Sequence, residues 1–71
     1  MQLIAGPVTA FDPALPAVAL EVDRLTLAKR RWRGTAADGM EFGFELERPL
    51  PSGAVFWQTA AARYVVHQRP E

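Results

Sequence analysis

The sequence predicts an all-β fold, a small six-stranded barrel or a two-sheet sandwich. Three observations carry that expectation. Met40, Phe42, Phe44 and Leu46 alternate with Glu41, Gly43, Glu45 and Glu47, which is the period of a half-buried strand. Asp38-Gly39 stands just ahead of that run and marks a tight turn. Other short β-forming stretches are separated by breaks around Pro13–Pro16 and Pro49–Gly53. At 71 residues the chain has the size of one small domain, read as residues 1–71, and a domain of that size buries only about 60% of its unfolded surface.

In chain order, Leu3–Val8 is read as a short first strand. Pro7 places it at a sheet edge or a strand end, because proline has no N–H to give to a ladder. Phe11–Pro16 reads as a connecting loop anchored by Phe11. Val18, Leu20 and Val22 alternate with Ala19, Glu21 and Asp23 as a second strand, and Leu25 and Leu27 continue the alternation. Ala28-Lys29-Arg30 reads as a turn, or one helical turn, before a hairpin. After the Pro49–Gly53 break, Val55-Phe56-Trp57 forms a fifth strand. Ala60-Ala61-Ala62 reads as a turn, since three alanines cannot nucleate a helix alone. Arg63–Gln68 is rich in β-formers and supplies the last strand, which Pro70 ends.

The hairpin register follows from matching faces. A two-residue loop would set Trp32 against Glu45 and Thr35 against Phe42, mixing apolar and charged sides. A three-residue loop, Ala37-Asp38-Gly39, sets Ala36 against Met40, Gly34 against Phe42 and Trp32 against Phe44 on one face. It sets Arg31 against Glu45 and Thr35 against Glu41 on the other. The expectation is a type I turn with Gly39 in the left-handed conformation, and with Gly34 making room for the Phe42 ring. The expected core is Ile4, Val18, Leu20, Val22, Leu25, Leu27, Trp32, Phe42, Phe44, Leu46, Val55, Trp57 and one face of Tyr64–Val66.

Composition narrows the chemistry. There is no cysteine, hence no disulfide and no thiolate ligand, and one histidine is too few for a zinc framework. Eight basic and eight acidic side chains give zero formal charge, whereas a nucleic-acid-binding domain is ordinarily basic. No apolar run approaches membrane-spanning length, and the N-terminus lacks the pattern of a secretory signal. The expectation is a cytoplasmic protein without a membrane partner.

Candidate functional residues are few. His67 is the single imidazole and a weak metal candidate; one ligand does not define a site, so no metal site is assigned. Lys29-Arg30-Arg31-Trp32-Arg33 is the only charge cluster. It suits single-stranded nucleic acid if Trp32 stacks on a base, or an acidic protein partner through Arg30, Arg31 and Arg33 if Trp32 is buried. The register buries Trp32 and turns Arg31 and Arg33 outward, which favours a solvated face paired with Glu45 and Glu47, with the acidic-partner patch as a third reading. Ser52 and His67 form the one conceivable nucleophile–base pair, but Ser52 sits in a Pro-Ser-Gly turn that explains it already. Glu41, Glu45 and Glu47 share one strand face and read as a solvated surface. No catalytic residue is assigned, and the chain is read as a non-enzyme.

Asp23-Arg24-Leu25-Thr26-Leu27, Arg31-Trp32-Arg33, Asp38-Gly39-Met40-Glu41-Phe42-Gly43, the Pro-Ser-Gly break before Val55, Tyr64-Val65-Val66 and Pro70-Glu71, in that order, resemble the N-terminal domain of the urease accessory protein family UreE. These are nickel metallochaperones that deliver metal to apo-urease. The resemblance covers roughly Val22 to Glu71. It implies a β domain of two small packed sheets, described in the family as peptide-binding. It implies protein contacts with urease or urease maturation proteins. The resemblance implies that the nickel-binding C-terminal domain of full-length members is not among these residues, so no cofactor is expected here, although nickel is expected for those members. The chain departs from the family in a shorter Leu27–Arg31 segment and a longer Leu46–Gly53 loop. Two alternatives stand beside this reading: a small β-barrel binding single-stranded nucleic acid, and an interaction module of the same fold without a nickel role.

Overall fold

The computed structural model describes residues 1–70. It contains β1 (Gln2–Ile4), β2 (Ala17–Val22), a helical turn α1 (Arg24–Leu27), β3 (Arg31–Thr35), β4 (Glu41–Glu45), β5 (Val55–Gln58) and β6 (Arg63–Gln68). The strands form two three-stranded sheets, β1-β4-β3 and β2-β6-β5. The fold is all-β, of the two-sheet kind, and no closed barrel forms among the described residues. At one corner the sheets touch through the Ala37 N–H, which donates to the Ala19 carbonyl at 2.8 Å.

Each sheet is a hairpin with one strand added in parallel. The β3–β4 and β5–β6 pairs are antiparallel, whereas β1 joins β4, and β2 joins β6, in parallel. A parallel neighbour cannot be reached by a tight turn, so it has to come from far along the chain. Residues 5–16 make that passage, carrying the chain from one sheet to the other. They are fastened where the Val8 N–H donates to the Val55 carbonyl at 2.8 Å and the Arg63 N–H donates to the Pro16 carbonyl at 2.9 Å.

The hairpin has the expected register. Arg31 lies opposite Glu45, Trp32 opposite Phe44, Gly34 opposite Phe42 and Thr35 opposite Glu41. The Ala36 N–H donates to the Met40 carbonyl at 2.9 Å, the Gly39 N–H donates to the Ala36 carbonyl at 2.9 Å, and Gly39 has φ +91°. Gly34, opposite Phe42, is also crowded from elsewhere: a Cβ there would meet Leu20 Cδ2 of β2 at 2.9 Å and Cζ3 of the neighbouring Trp32 indole at 3.0 Å.

One aromatic cluster fills the space between the sheets. Trp32 stacks on Phe44 with centroids 3.9 Å apart, and Phe56 meets both Phe42 and Phe44 edge-on at 4.9 and 5.1 Å. Such ring pairs add about 0.5–1.5 kcal/mol each beyond the area they bury. Phe42, Phe44, Phe56, Leu20 and Val66 are the largest fully buried side chains.

Several expectations are corrected. The first strand is shorter and earlier, Gln2–Ile4, with Pro7 lying beyond it. Leu25 is 71% exposed, because Arg24–Leu27 is a helical turn rather than a continued strand. Asp23 caps that turn: its Oδ2 accepts the Thr26 N–H at 3.0 Å and its Oδ1 accepts the Thr26 hydroxyl. The helical turn thus comes ahead of Ala28-Lys29-Arg30, and it directs Leu27 inward and Leu25 out. Phe11 is 41% exposed and anchors nothing in the core. Phe56 and Leu50 are core residues that the strand alternation left out. A register shift between Val55 and Trp57 breaks the period of two and buries both Val55 and Phe56, while Val18 and Trp57 are only partly buried.

Candidate partner-binding face

The residues singled out for partner contact lie along one edge of the β1-β4-β3 sheet. Arg30 immediately precedes β3, and its carbonyl accepts the Leu46 N–H at 2.8 Å, closing the open end of the hairpin ladder. Arg30, Arg31 and Arg33 are all exposed. Trp32, between them, faces inward, because side chains alternate along a strand and Phe44 is waiting on the inner side. The basic face therefore carries no aromatic platform on β3.

The arginines differ in what they meet. Arg31 Nη2 lies 2.7 Å from Glu45 Oε1, with both side chains largely exposed. That bond and the charge of Glu45 hold the Arg31 guanidinium above its ordinary pKa. Exposed pairs of this kind contribute little to stability and mainly hold register. Arg33 has no ion pair and no side-chain hydrogen bond among the described residues.

Across the outer side of the same sheet, Leu3 on β1, Gly43 on β4 and Arg33 on β3 form one row of the pairing register. Gly43 supplies no side chain and is buried, because Met1 and Leu3 lie over it. A Cβ there would lie 3.2 Å from both Leu3 Cδ2 and Met1 Sδ, so those two apolar side chains form one wall. Met1 and Leu3 are 64% and 68% exposed. An open depression of about 460 Å³ lies between them and Arg31, Arg33 and Glu45. A second of about 360 Å³ adjoins it, reaching Thr35 and Glu41.

The remaining candidates are not brought together. His67 is exposed on β6, opposite Glu21 of β2. No group of three or more His, Cys, Asp or Glu side chains is placed to hold a metal among the described residues. Ser52 is occupied structurally, its hydroxyl accepting the Gln68 N–H at 3.0 Å. No helix among the described residues is long and apolar enough to cross a membrane.

Sequence reasoning placed the arginines on this face and missed the exposed apolar pair, Met1 and Leu3, that covers Gly43. The signal was present, since Gly43 is the one residue without a side chain in the outward row Glu41, Gly43, Glu45. What stands beside Gly43 depends on β1, whose parallel pairing no local pattern announces. No protein-family model matches this chain, and no curated protein matches it.

Proposed function

We propose that this domain makes protein contacts as an accessory module of urease maturation and nickel delivery, through the face that carries Arg30, Arg31 and Arg33. The reading rests on the ordered resemblance to the UreE N-terminal domain running from roughly Val22 to Glu71, and a β domain of two small packed sheets is in keeping with it. The observation that carries the choice of face is the burial of Trp32 against Phe44, which leaves exposed arginines without a stacking surface. Single-stranded nucleic acid gains much of its affinity from such stacking, whereas a carboxylate-bearing protein surface needs only the cations.

The test is an affinity capture. The tagged full chain is incubated with lysate of a urease-positive bacterium grown with nickel, and captured proteins are identified by mass spectrometry. Urease subunits or maturation proteins are expected, and they should be lost when Arg30, Arg31 and Arg33 are all changed to Glu. Capture of none of them overturns the urease reading. Capture unaffected by the triple change overturns the assignment to this face.

A further inference from the structure

The hairpin turn carries a reactive bond that the fold holds in check. Of the three aspartates, Asp12 precedes proline and Asp23 precedes Arg24, whereas Asp38 precedes glycine. An aspartyl–glycyl bond is prone to rearrange, because glycine has no side chain to keep its amide nitrogen away from the neighbouring carboxyl group. Asp38 and Gly39 are both exposed, so water reaches them. Yet each reacting group is engaged. The Gly39 N–H donates to the Ala36 carbonyl at 2.9 Å, Asp38 Oδ1 accepts the Met40 N–H at 3.0 Å, and Asp38 Oδ2 accepts the Tyr64 hydroxyl at 2.5 Å. The bonds from Tyr64 and Met40 also hold the carboxyl below its usual pKa, so the protonated form, from which the hydroxyl leaves as water, is scarce. Two of the three bonds lie within the turn. The third comes from β6 of the opposite sheet, where Tyr64 is buried. Beside it the Ala37 N–H donates to the Ala19 carbonyl of β2 at 2.8 Å. Two consecutive turn residues thus form the seam between the sheets at this corner, and the second is the reactive aspartate.

We propose that Asp38-Gly39 is a latent isoaspartate site, closed while Tyr64 holds the carboxylate and open whenever the turn parts from β6. In the open turn the Gly39 nitrogen attacks Cγ of Asp38. An N–Cγ bond forms, a Cγ–O bond breaks, and the amide proton leaves with the carboxyl hydroxyl as water, giving a five-membered succinimide. Water then adds to the ring. Opening at Cγ restores aspartate, and opening at the α-carbonyl leaves the chain running through Cγ as isoaspartate. One water is lost and one regained, and no other reactant takes part. The product has one more methylene in the main chain, and its carboxylate sits directly on Cα. It cannot hold the Met40 N–H and reach Tyr64 as the natural side chain does, so the seam does not close again in its first form. The turn therefore records each chain whose sheets have come apart at this corner. This chemistry is independent of what the arginine face binds.

The experiment ages the full chain, its Tyr64→Phe and Ile4→Val variants, and a synthetic peptide with the sequence Ala36–Phe42 together at neutral pH and body temperature. Isoaspartate at position 38 is quantified by liquid chromatography and mass spectrometry of proteolytic fragments against synthetic standards. The chain has no asparagine, so no asparagine deamidation product overlaps the signal. The natural chain should form isoaspartate at least about tenfold more slowly than the peptide, since only the opened turn reacts. Tyr64→Phe should raise the rate in the folded chain about fivefold, the factor that loss of one hydrogen bond gives. Ile4→Val trims a buried side chain on β1, opposite Phe44 and away from the turn, and costs a similar amount of stability. Its rate should stay close to that of the natural chain. Circular dichroism verifies that both variants are folded. A natural chain that reacts as fast as the peptide, a Tyr64→Phe rate equal to the natural one, or an equal acceleration by Ile4→Val overturns the proposal.

Discussion

The Tyr64 hydroxyl donates to Asp38 Oδ2 at 2.5 Å, joining the central strand of one sheet to the hairpin turn of the other. The second carboxylate oxygen, Oδ1, accepts the Met40 N–H at 3.0 Å. One aspartate therefore shapes its own turn and locks that turn onto the opposite sheet. The hydrogen bond from Tyr64, then that from Met40, hold the Asp38 carboxyl below its usual pKa, and the bond to Asp38 holds the phenol of Tyr64 above its own.

Tyr64→Phe tests this tie through pH. Asp38 has a lowered pKa when folded, so its contribution is present above the ordinary value of 3.8 and fades as pH falls through the folded value. Tyr64 has a raised pKa when folded, so its contribution is present below the ordinary value of 10.0 and fades as pH rises through the folded value. The variant should melt a few degrees lower at neutral pH and lose less of its remaining stability at both extremes. Thermal melts from acid to strongly alkaline pH check it; a parallel downward shift at every pH would show that the bond has no part in the pH profile.

Leu25 and Leu27 are two residues apart and should respond oppositely to truncation. Leu27 is buried beneath the helical turn, and Leu27→Ala should cost about 2–5 kcal/mol. Leu25 is 71% exposed, and Leu25→Ala should stay within about 0.5 kcal/mol. Urea denaturation of both variants discriminates the helical turn from a continued strand, in which both leucines would share one face.

Gly34→Ala should destabilise by about 1–3 kcal/mol through overpacking. Its Cβ would lie 2.9 Å from Leu20 Cδ2 and 3.0 Å from Trp32 Cζ3, and neither can swing away, since Leu20 is fully buried and the indole is stacked on Phe44. A Gly34→Ala, Leu20→Ala double variant should lose less than the sum of its parts, because the truncated side chain vacates the space the new methyl takes. Strict additivity in denaturation would refute that explanation.

Gly39→Ala acts through the backbone alone. With φ at +91° and nothing within 4 Å of the Cβ position, no clash with neighbours arises and only conformational strain is added. The expected loss is about 1–3 kcal/mol, with hairpin cross-strand contacts retained in nuclear Overhauser spectra. A stability equal to that of the natural chain would mean that the turn readily adopts another conformation.

By itself the sequence determined the elements whose reason is local. The hairpin was legible to the residue, because a side-chain period of two leaves one loop length that keeps Trp32, Phe42 and Phe44 together, and Asp38-Gly39 marks the turn. β6 was legible for its run of β-formers, and the Ala60–Ala62 turn because its alanines could not nucleate a helix; there Thr59 Oγ1 accepts the Ala61 and Ala62 N–H groups. Tertiary structure decided what depends on distant partners. Whether Leu25 faced in or out turned on Asp23 capping a helical turn, which competes locally with the strand pattern and gains once Leu27 has a core to enter. Phe56 entered the core through an irregularity in the pairing of β5 with β6, which no single strand encodes. The parallel pairings of β1 and β2 bring together segments far apart in the chain, and so do the Tyr64–Asp38 tie and the covering of Gly43 by Met1 and Leu3. Such contacts form only when chain closure places both partners, so the pattern around either residue carries no sign of the other.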